Sequence, residues 1–394
     1  MRNLEKSVPV IRFKGFSEAW EQRKLGEDVN FLNGRAYSQK ELLDKGKYKV
    51  LRVGNFNTND RWYYSDLELE ENKYANRGDL LYLWATNFGP EIWNQEKVIY
   101  HYHIWKLKIM NINVSKQYLY TWLITDKERI KQSTNGTTMV HVTKSHIEQR
   151  EFQIPPNLTE QQKIGDFFKQ LDDTIALHQR KLDALKLMKK GFLQQMFPKS
   201  EEDVPKIRFT DFDGKWRQRK LGDVFNERSE RSADGELISV TINSGVIKAS
   251  KLEKKDNSSF DKSNYKVVKK GDIAYNSMRM WQGASGCSFY DGILSPAYTV
   301  IYPRKDINAL FIAYMFKKID MLQTFQRNSQ GLTSDTWNLK FPSLSVIKIK
   351  IPTNEEQIKI TNLFRKLEYT STLHQNQIDR LKKVKKAYLK TMFI

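Results

Sequence analysis

Two polar glycine loops, Asn135-Gly136-Thr137-Thr138 and Gln330-Gly331-Leu332-Thr333, carry side chains suited to recognition chemistry. Amides and guanidinium forks pair with the edges of bases, while lysine, arginine and hydroxyl groups hold phosphate oxygens. Other loops add the same types. In the first half the candidates are Arg35, Tyr37, Lys40, Arg52, Asn55, Asn57, Arg61, Asn87, Asn135, Thr137, Thr138 and Lys144. In the second half they are Arg228, Arg231, Asn243, Ser277, Arg279, Gln282, Gln330, Thr333, Ser334 and Lys340. Asn87 and Arg279 follow matched Gly-Asp segments and are the favoured readers. Trp84 and Trp281 share their loops and suit stacking or, more simply, core packing.

Covalent chemistry has no comparable set. The sequence holds no G-x-G-x-x-G loop, no glycine loop ending in Gly-Lys-Ser/Thr, and no H-E-x-x-H. Ile154-Pro155-Pro156-Asn157 lacks the preceding amide and the following ring of an adenine-methylating signature and reads as a hinge into a helix. Asp172 and Asp173 are neighbours on a helix, face different directions, and read as solvated surface. His178 with His374, and Lys189 with Lys385, read as polar positions that fix helix register rather than as metal ligands. No catalytic, cofactor-binding or metal-binding residue is expected.

Composition agrees. Sixty-six Lys and Arg against 46 Asp and Glu leave a net charge of +20, which favours polyanion capture, nucleic acid first. Aromatics at 12% suit a folded chain of 394 residues with two or three domains. No apolar run reaches membrane-spanning length, and Met1 to Pro9 lacks the apolar core of a secretory signal. The one cysteine, Cys287, suits a reducing interior, so the cytoplasm is the expected location.

The elements that must position these residues come in duplicate. Residues 8–26 and 204–222 match at 12 of 19 positions with an offset of 196, aligning Trp20 with Trp216 and Gln22–Gly26 with Gln218–Gly222. Gly78-Asp79-Leu80 resembles Gly271-Asp272-Ile273, and residues 154–197 resemble 351–393. Trp20 and Trp216 are expected to anchor the start of each body. Short strands are expected at Lys47–Val53, Gly78–Leu83, Val98–Met110 and Ala297–Tyr302, and helices at Tyr118–Lys131 and Ala309–Thr324.

The two tails predict long helices, the first opened by Thr159 with a capping-box glutamine at Gln162. Ile164, Phe168, Leu171, Ile175, Leu182, Leu185, Phe192 and Met196 form a heptad seam in the first. Ile360, Phe364, Leu367, Ile378, Leu381, Tyr388 and Met392 form one in the second. An apolar stripe on a lone helix needs a partner, and the other tail is the nearest. The expected fold is therefore α/β: two similar globular domains, residues 1–153 and 201–350, separated by two helical regions, residues 154–200 and 351–394. The helices are expected to form an antiparallel coiled coil with pseudo-two-fold symmetry.

The tandem layout, the Trp-x-Gln-Arg-Lys-Leu-Gly openings, the Gly-Asp segments and the helical tails ending at Phe197 and Phe393 together resemble the specificity subunit of type I restriction-modification systems. The resemblance spans nearly the whole chain. It implies target recognition domains that each read one half of a bipartite duplex DNA target, and helices that space them and dock two methyltransferase subunits. Those partners would use S-adenosylmethionine, and two restriction/translocase subunits would use ATP and magnesium. This bacterial defence complex would methylate adenine or cleave DNA, with no catalysis in the present chain. Two alternatives stay open: a protein-binding coiled-coil scaffold without specific DNA readout, and a nuclease with an unrecognised site.

Overall fold

The computed structural model describes residues 8–56, 59–85, 88–133, 142–252 and 260–393. The chain divides into two compact units, Met1–Gln179 with Asn376–Ile394, and Arg180–Gln375. Each takes one half of each of two 38-residue helices, Leu158–Gln195 and Asn354–Thr391.

Both units contain the same four-stranded antiparallel sheet. In unit 1 the order is Val29–Asn33, Ile104–Ile109, Leu80–Leu83, Gly89–Ile92; in unit 2 it is Phe225–Glu227, Tyr298–Pro303, Ile273–Asn276, Ser285–Cys287. Both also pair the opening strand with the strand before a long helix: Glu21–Lys24 with Glu151–Ile154, and Arg217–Lys220 with Lys348–Ile351. The repeated Gly-Asp turns have a backbone cause. Gly78 and Gly271 sit at φ of 92° and 95°, where a side chain is strained. The units differ in the stretch before that turn. Unit 1 builds a second, mixed sheet there, including the parallel pair of Tyr48–Leu51 with Val98–Tyr100. Unit 2 uses a hairpin, Ile238–Thr241 with Gly245–Lys248, and the separate pair Lys266–Val268 with Gly292–Leu294.

Three expectations change in detail. Val98–Met110 is two strands with a break at His101–His103. The first long helix starts at Leu158, and its cap is Asn157, whose side-chain oxygen accepts from the N–H of Thr159 at 2.9 Å. Ala309–Thr324 is broken into Ala309–Met315 and Ile319–Asn328. No glycine or proline marks the break; Lys318 adopts extended angles there, and its buried ammonium donates to the carbonyl of Pro198 at 2.7 Å.

The helical stripes do find partners. In unit 1 the two helix halves run antiparallel: Phe167 meets Tyr388 at 5.1 Å, and Lys385 donates to both oxygens of Asp172 at 2.6 and 2.8 Å. In unit 2 Lys189 donates to Glu368 at 2.7 Å, and Phe197 lies 6.2 Å from Phe364. Asp172 is thus an ion-pairing residue rather than solvated surface. Lys189 and Lys385 each pair with an acidic residue of the other helix, at equivalent positions.

The stripes are not a coiled-coil seam throughout. Ile164 and Phe168 share one core with Trp20, Tyr118 and Phe152 of the globular body. Met392 and Phe393, just past the end of the other helix, plug the same core. Met196 and Phe197 do the same in unit 2, beside Trp216, Phe311, Ile360 and Phe364. Leu171, Ile175, Leu185, Phe192, Leu381 and Tyr388 are half-buried, while Leu182, Leu367 and Ile378 are buried. Trp20 and Trp216 are buried anchors, as expected.

The foot of each long helix holds a buried polar clamp. Arg12 makes a two-pronged bond to Glu160 at 2.6 and 2.8 Å, and Arg208 makes one to Glu356 at 2.8 and 2.8 Å. The neighbouring glutamine ties the helix to the body: Gln161 Oε1 accepts from Ser115 N at 2.8 Å, and Gln357 Oε1 from Asn308 N at 2.9 Å. These four acidic and amide side chains are buried, and each is satisfied as burial requires.

Candidate nucleic-acid interface

In each unit two distant loops are brought to one place. The loop after the Gly-Asp strand is pinned to the residues entering the last short helix by an equivalent backbone bond. In unit 1 Val142 N donates to Trp84 O at 3.2 Å; in unit 2 Leu339 N donates to Ser277 O at 2.8 Å. In unit 2 the glycine loop, residues 330–333, leads into its anchor point, so there the loops favoured from sequence are neighbours. Asn57, Asn87, Asn135, Thr137 and Thr138 lie outside the described residues.

Unit 2 shows the gathering most fully. Arg279 and Gln282 line one depression of about 280 Å³ with Asn276, Met278, Trp281, Ser334 and Asp335. Arg279 is exposed and donates to Gln282 Oε1 at 3.3 Å. Gly283, at φ of 87°, ends the turn Met280–Gln282, and its carbonyl accepts from the Lys317 ammonium. The same ammonium donates to the carbonyl of Ile242 at 3.2 Å, beside the exposed Asn243. Lys317 thereby links the hairpin tip to the Arg279 turn. Burial, and then the charge of Lys189, push its pKa down to about 8. Gln330 bridges Asn338 across the base of the glycine loop, whose Thr333 and Ser334 are exposed. Lys340 is exposed just before the last short helix, and Arg231 Nη1 donates to the carbonyl of Asn264 at 2.9 Å from an exposed position.

Two candidates leave this surface. Arg228 makes a two-pronged bond to the buried Asp272 at 2.6 and 2.9 Å and lies over the Tyr302 ring at 4.8 Å. Its guanidinium is committed to the fold. Ser277 is buried, with its hydroxyl 2.8 Å from Thr299 Oγ1. Both lie in the first residue after a strand, Phe225–Glu227 or Ile273–Asn276, where the side chain still packs against the sheet.

In unit 1 the candidates form a cationic, aromatic face. Arg52 and Arg61 flank the Tyr63 ring at 4.2 and 5.0 Å. Arg35 lies 5.3 Å from the Tyr37 ring and pairs with Glu41 at 2.6 Å. Backbone and side-chain bonds from Ser38, together with that arginine, hold Glu41 down to about 2. Burial pushes the Tyr37 hydroxyl above its ordinary range. Asn55 turns inward: its oxygen accepts from Arg52 N at 3.0 Å, and its amide donates to the carbonyls of Asn59 and Arg61. It shapes the loop rather than offering an edge. Lys40 is exposed, and Lys144 makes a loose pair with Glu148 at 3.7 Å.

Sequence reading missed part of this face. His101, Tyr102 and His103 cluster with Trp84, whose indole N–H donates to Tyr102 O at 2.7 Å. Burial, then His103 and Arg52, lower the His101 pKa to about 4, so this ring is neutral at neutral pH. The run His101-Tyr102-His103 was the available signal. Asp335 and Lys317 carry no signal as recognition residues in the sequence, the first being acidic and the second half-buried beneath the loops. Cys287 is buried, and burial pushes its thiol up to about 12.

Among the described residues no group of three or more His, Cys, Asp or Glu is placed to hold a metal ion, and no helix is long and apolar enough to cross a membrane. A duplicated sheet with different elements around its two copies, and two long helices each divided between the units, define a tandem-repeat protein. Residues 17–187 and 213–383 both match the family described as type I restriction modification DNA specificity domain. The chain belongs to that family, carries two copies of its domain, and is a DNA-specificity subunit rather than a catalytic chain.

It is similar to the type I restriction enzyme MjaVIII specificity subunit of Methanocaldococcus jannaschii, at 24% identity over 94% of this chain and 91% of that protein. Its fold is similar to that of a type I restriction-modification S subunit from M. genitalium, with TM-score 0.66 and 14% identity, covering 98% and 99% of the two chains. A chain from a structure on complex assembly and conformational transition of the type I R-M system matches at TM-score 0.50 and 14% identity, covering 95% and 97%.

Proposed function

We propose that this chain reads a bipartite, asymmetric duplex DNA sequence, one half with each unit, and directs partner subunits to it. The observation that carries the reading is the pair of equivalent pins, Val142 to Trp84 and Leu339 to Ser277, which gather sequence-distant polar loops at one place in each unit. The bodies differ outside their shared sheet, so the two half-sites differ. In unit 1 Asn57, Asn87, Asn135, Thr137 and Thr138 are further candidates of that half, while Arg35, Lys40, Arg52, Arg61 and Lys144 supply cationic contacts beside Tyr37. In unit 2 Arg231, Asn243, Arg279, Gln282, Gln330, Thr333, Ser334 and Lys340 do so.

The division of labour is the one that membership of the specificity-domain family supports. Two methyltransferase subunits, with S-adenosylmethionine, would modify adenine, and two restriction subunits, with ATP and magnesium, would cleave. The long helices offer the docking surface and set the reach between half-sites, with residues 1–153 and 201–350 as the recognition domains. Such a complex works on DNA in the cytoplasm.

Selection from a random duplex library tests the reading. The expected outcome is two short, different motifs at a fixed spacing. Six to ten phosphate contacts would reduce affinity by roughly 10³–10⁵ between 50 and 200 mM salt. Recovery of no bipartite motif, or binding insensitive to salt, overturns it and favours a protein scaffold. Inserting a heptad into both helices is expected to lengthen the spacing, and an unchanged spacing removes the helices from that role.

A further inference from the structure

The depression in unit 2 holds a residue of the wrong sign for a surface that only grips phosphate. Asp335 is exposed and lines the same hollow as Arg279, Gln282 and Ser334. No ion pair to Asp335 occurs among the described residues. In a chain of net charge +20, an exposed carboxylate in the hollow that Arg279 lines works against phosphate binding there. Such a cost to general affinity is compensated where the carboxylate accepts from a base. In the major groove, the cytosine N4 amino group is the donor that pairs with Asp or Glu. Arginine is the matching fork for guanine O6 and N7 on the other strand of the same base pair.

The geometry points to a G·C reader: we infer that this depression reads a G·C pair in the second half-site, with Arg279 donating to guanine and Asp335 accepting from the cytosine N4 amino group. The inference rests on the reading of the chain as a DNA-sequence reader and names a base pair that it recognises. Gln282 supports the assignment, because its side-chain oxygen takes one Arg279 N–H and orients the fork. Trp281 packs edge-on against Trp337 at 5.2 Å and walls the hollow. Beneath it, the bonds from Lys317 to the Gly283 carbonyl and from Leu339 to the Ser277 carbonyl fix both loops that contribute. Arg279 and Asp335 come from loops more than fifty residues apart, and the fold alone makes them one site.

The test is duplex selection with the purified full-length chain, run in parallel on the wild type, Arg279→Ala and Asp335→Ala. In the wild type a G·C pair is expected in the second half-site. Arg279→Ala should lose preference at that pair by roughly five- to a hundredfold. Asp335→Ala should relax the same pair while raising affinity for unrelated duplex. The first half-site, read by unit 1, should stay unchanged in both variants and serves as the control for folding. A bipartite wild-type motif that survives in both variants, with affinity shifted evenly over all sequences, overturns the inference and leaves the broader reading intact. A wild-type second half-site without G·C overturns it as well. Failure of the wild type to select any motif sinks the broader reading first, so the two failures are distinct.

Discussion

The two units solve one electrostatic problem from opposite strands. In unit 1 Asp79, below the Gly-Asp turn, pairs with Lys106 at 2.8 Å, and Leu32 stands opposite Lys106 across the strand pair. In unit 2 Asp272 pairs with Arg228, and Arg228 N bonds to the carbonyl of Val300 on the facing strand. Matching the two sheets sets Leu32 on Arg228 and Lys106 on Val300. Cation and aliphatic residue have therefore changed places. In both copies the aspartate also holds its turn, accepting from Asn76 N or Lys269 N at 2.8 Å. What the fold demands is a neutralised carboxylate under the turn; which strand supplies the charge is open. The Arg-Glu clamps at the helix feet show the contrary case, because Arg12 with Glu160 and Arg208 with Glu356 repeat residue for residue.

The clamp should give the largest effect. Glu356→Ala leaves Arg208 with no partner beneath the helix and is expected to destabilise unit 2 by about 3–5 kcal/mol. Glu160→Ala should do the same to unit 1, though slightly less. Trp216 Nε1 also donates to Glu356 at 3.3 Å, whereas Trp20 Nε1 has no partner among the described residues. Urea unfolding of the two variants checks this, and losses below about 1 kcal/mol would show that the clamp does not hold the helices.

The exchanged pair comes next. Arg228→Leu is expected to cost about 3 kcal/mol, since it strands the buried Asp272. Adding Val300→Lys to that variant transplants the arrangement of unit 1 and should restore at least half of the loss. Two additive losses, with no recovery, would break the equivalence drawn between the copies.

These two tests also mark what the sequence could reveal. The duplication, the Trp anchors and the helical stripes were legible because burial writes periodic apolar patterns. The strands around Leu80–Leu83 and Tyr298–Pro303 followed from aliphatic and aromatic runs. The clamp was not legible: Glu160-Gln161 and Glu356-Gln357 look like solvated first-turn residues, and only the approach of Arg12 and Arg208 from 148 residues away reveals their burial. Arg228 misled for the same reason, its partner Asp272 lying 44 residues on. The candidate loops carry no period at all. Loop composition named Arg279 and Gln282, but only the fold set Asp335 beside them.

A third contrast concerns pH. Counting from Ser115 and Asn308, which bind equivalent glutamines, the uncharged Ile124 stands where Lys317 does. The depressed pKa of about 8 for Lys317, against 10.5 ordinarily, means the folded state releases its proton first. Between those values the unfolded chain binds more protons, so stability should rise with pH, by up to about 1.4 kcal/mol per unit. Below pH 8 the cost of burying the charge is present in full. Lys317→Ile, which installs the side chain of unit 1, should flatten this part of the profile relative to the wild type. Parallel profiles from pH 7 to 10 would contradict the assignment.

The smallest effect is expected at the helix pairs. Lys385 with Asp172 and Lys189 with Glu368 occupy equivalent positions, but their surroundings differ. Lys385 is 20% exposed and reaches both carboxylate oxygens; Lys189 is 38% exposed and shares Glu368 with the Tyr314 hydroxyl at 2.8 Å. Exposed pairs are screened and lose side-chain entropy, so each is expected to contribute only about 0.5 kcal/mol, Lys385 more than Lys189. A double-mutant cycle with Lys385→Met and Asp172→Asn, beside one with Lys189→Met and Glu368→Gln, measures both. The couplings should shrink in 1 M salt, where the screening length falls to about 3 Å. Reversing one pair, with Lys385→Glu and Asp172→Lys, keeps its attraction, whereas Lys385→Glu alone sets like charges together. If the single reversal is as stable as the double, these lysines contribute no register to the helices, and the apolar plugs at Met196-Phe197 and Met392-Phe393 must set it unaided.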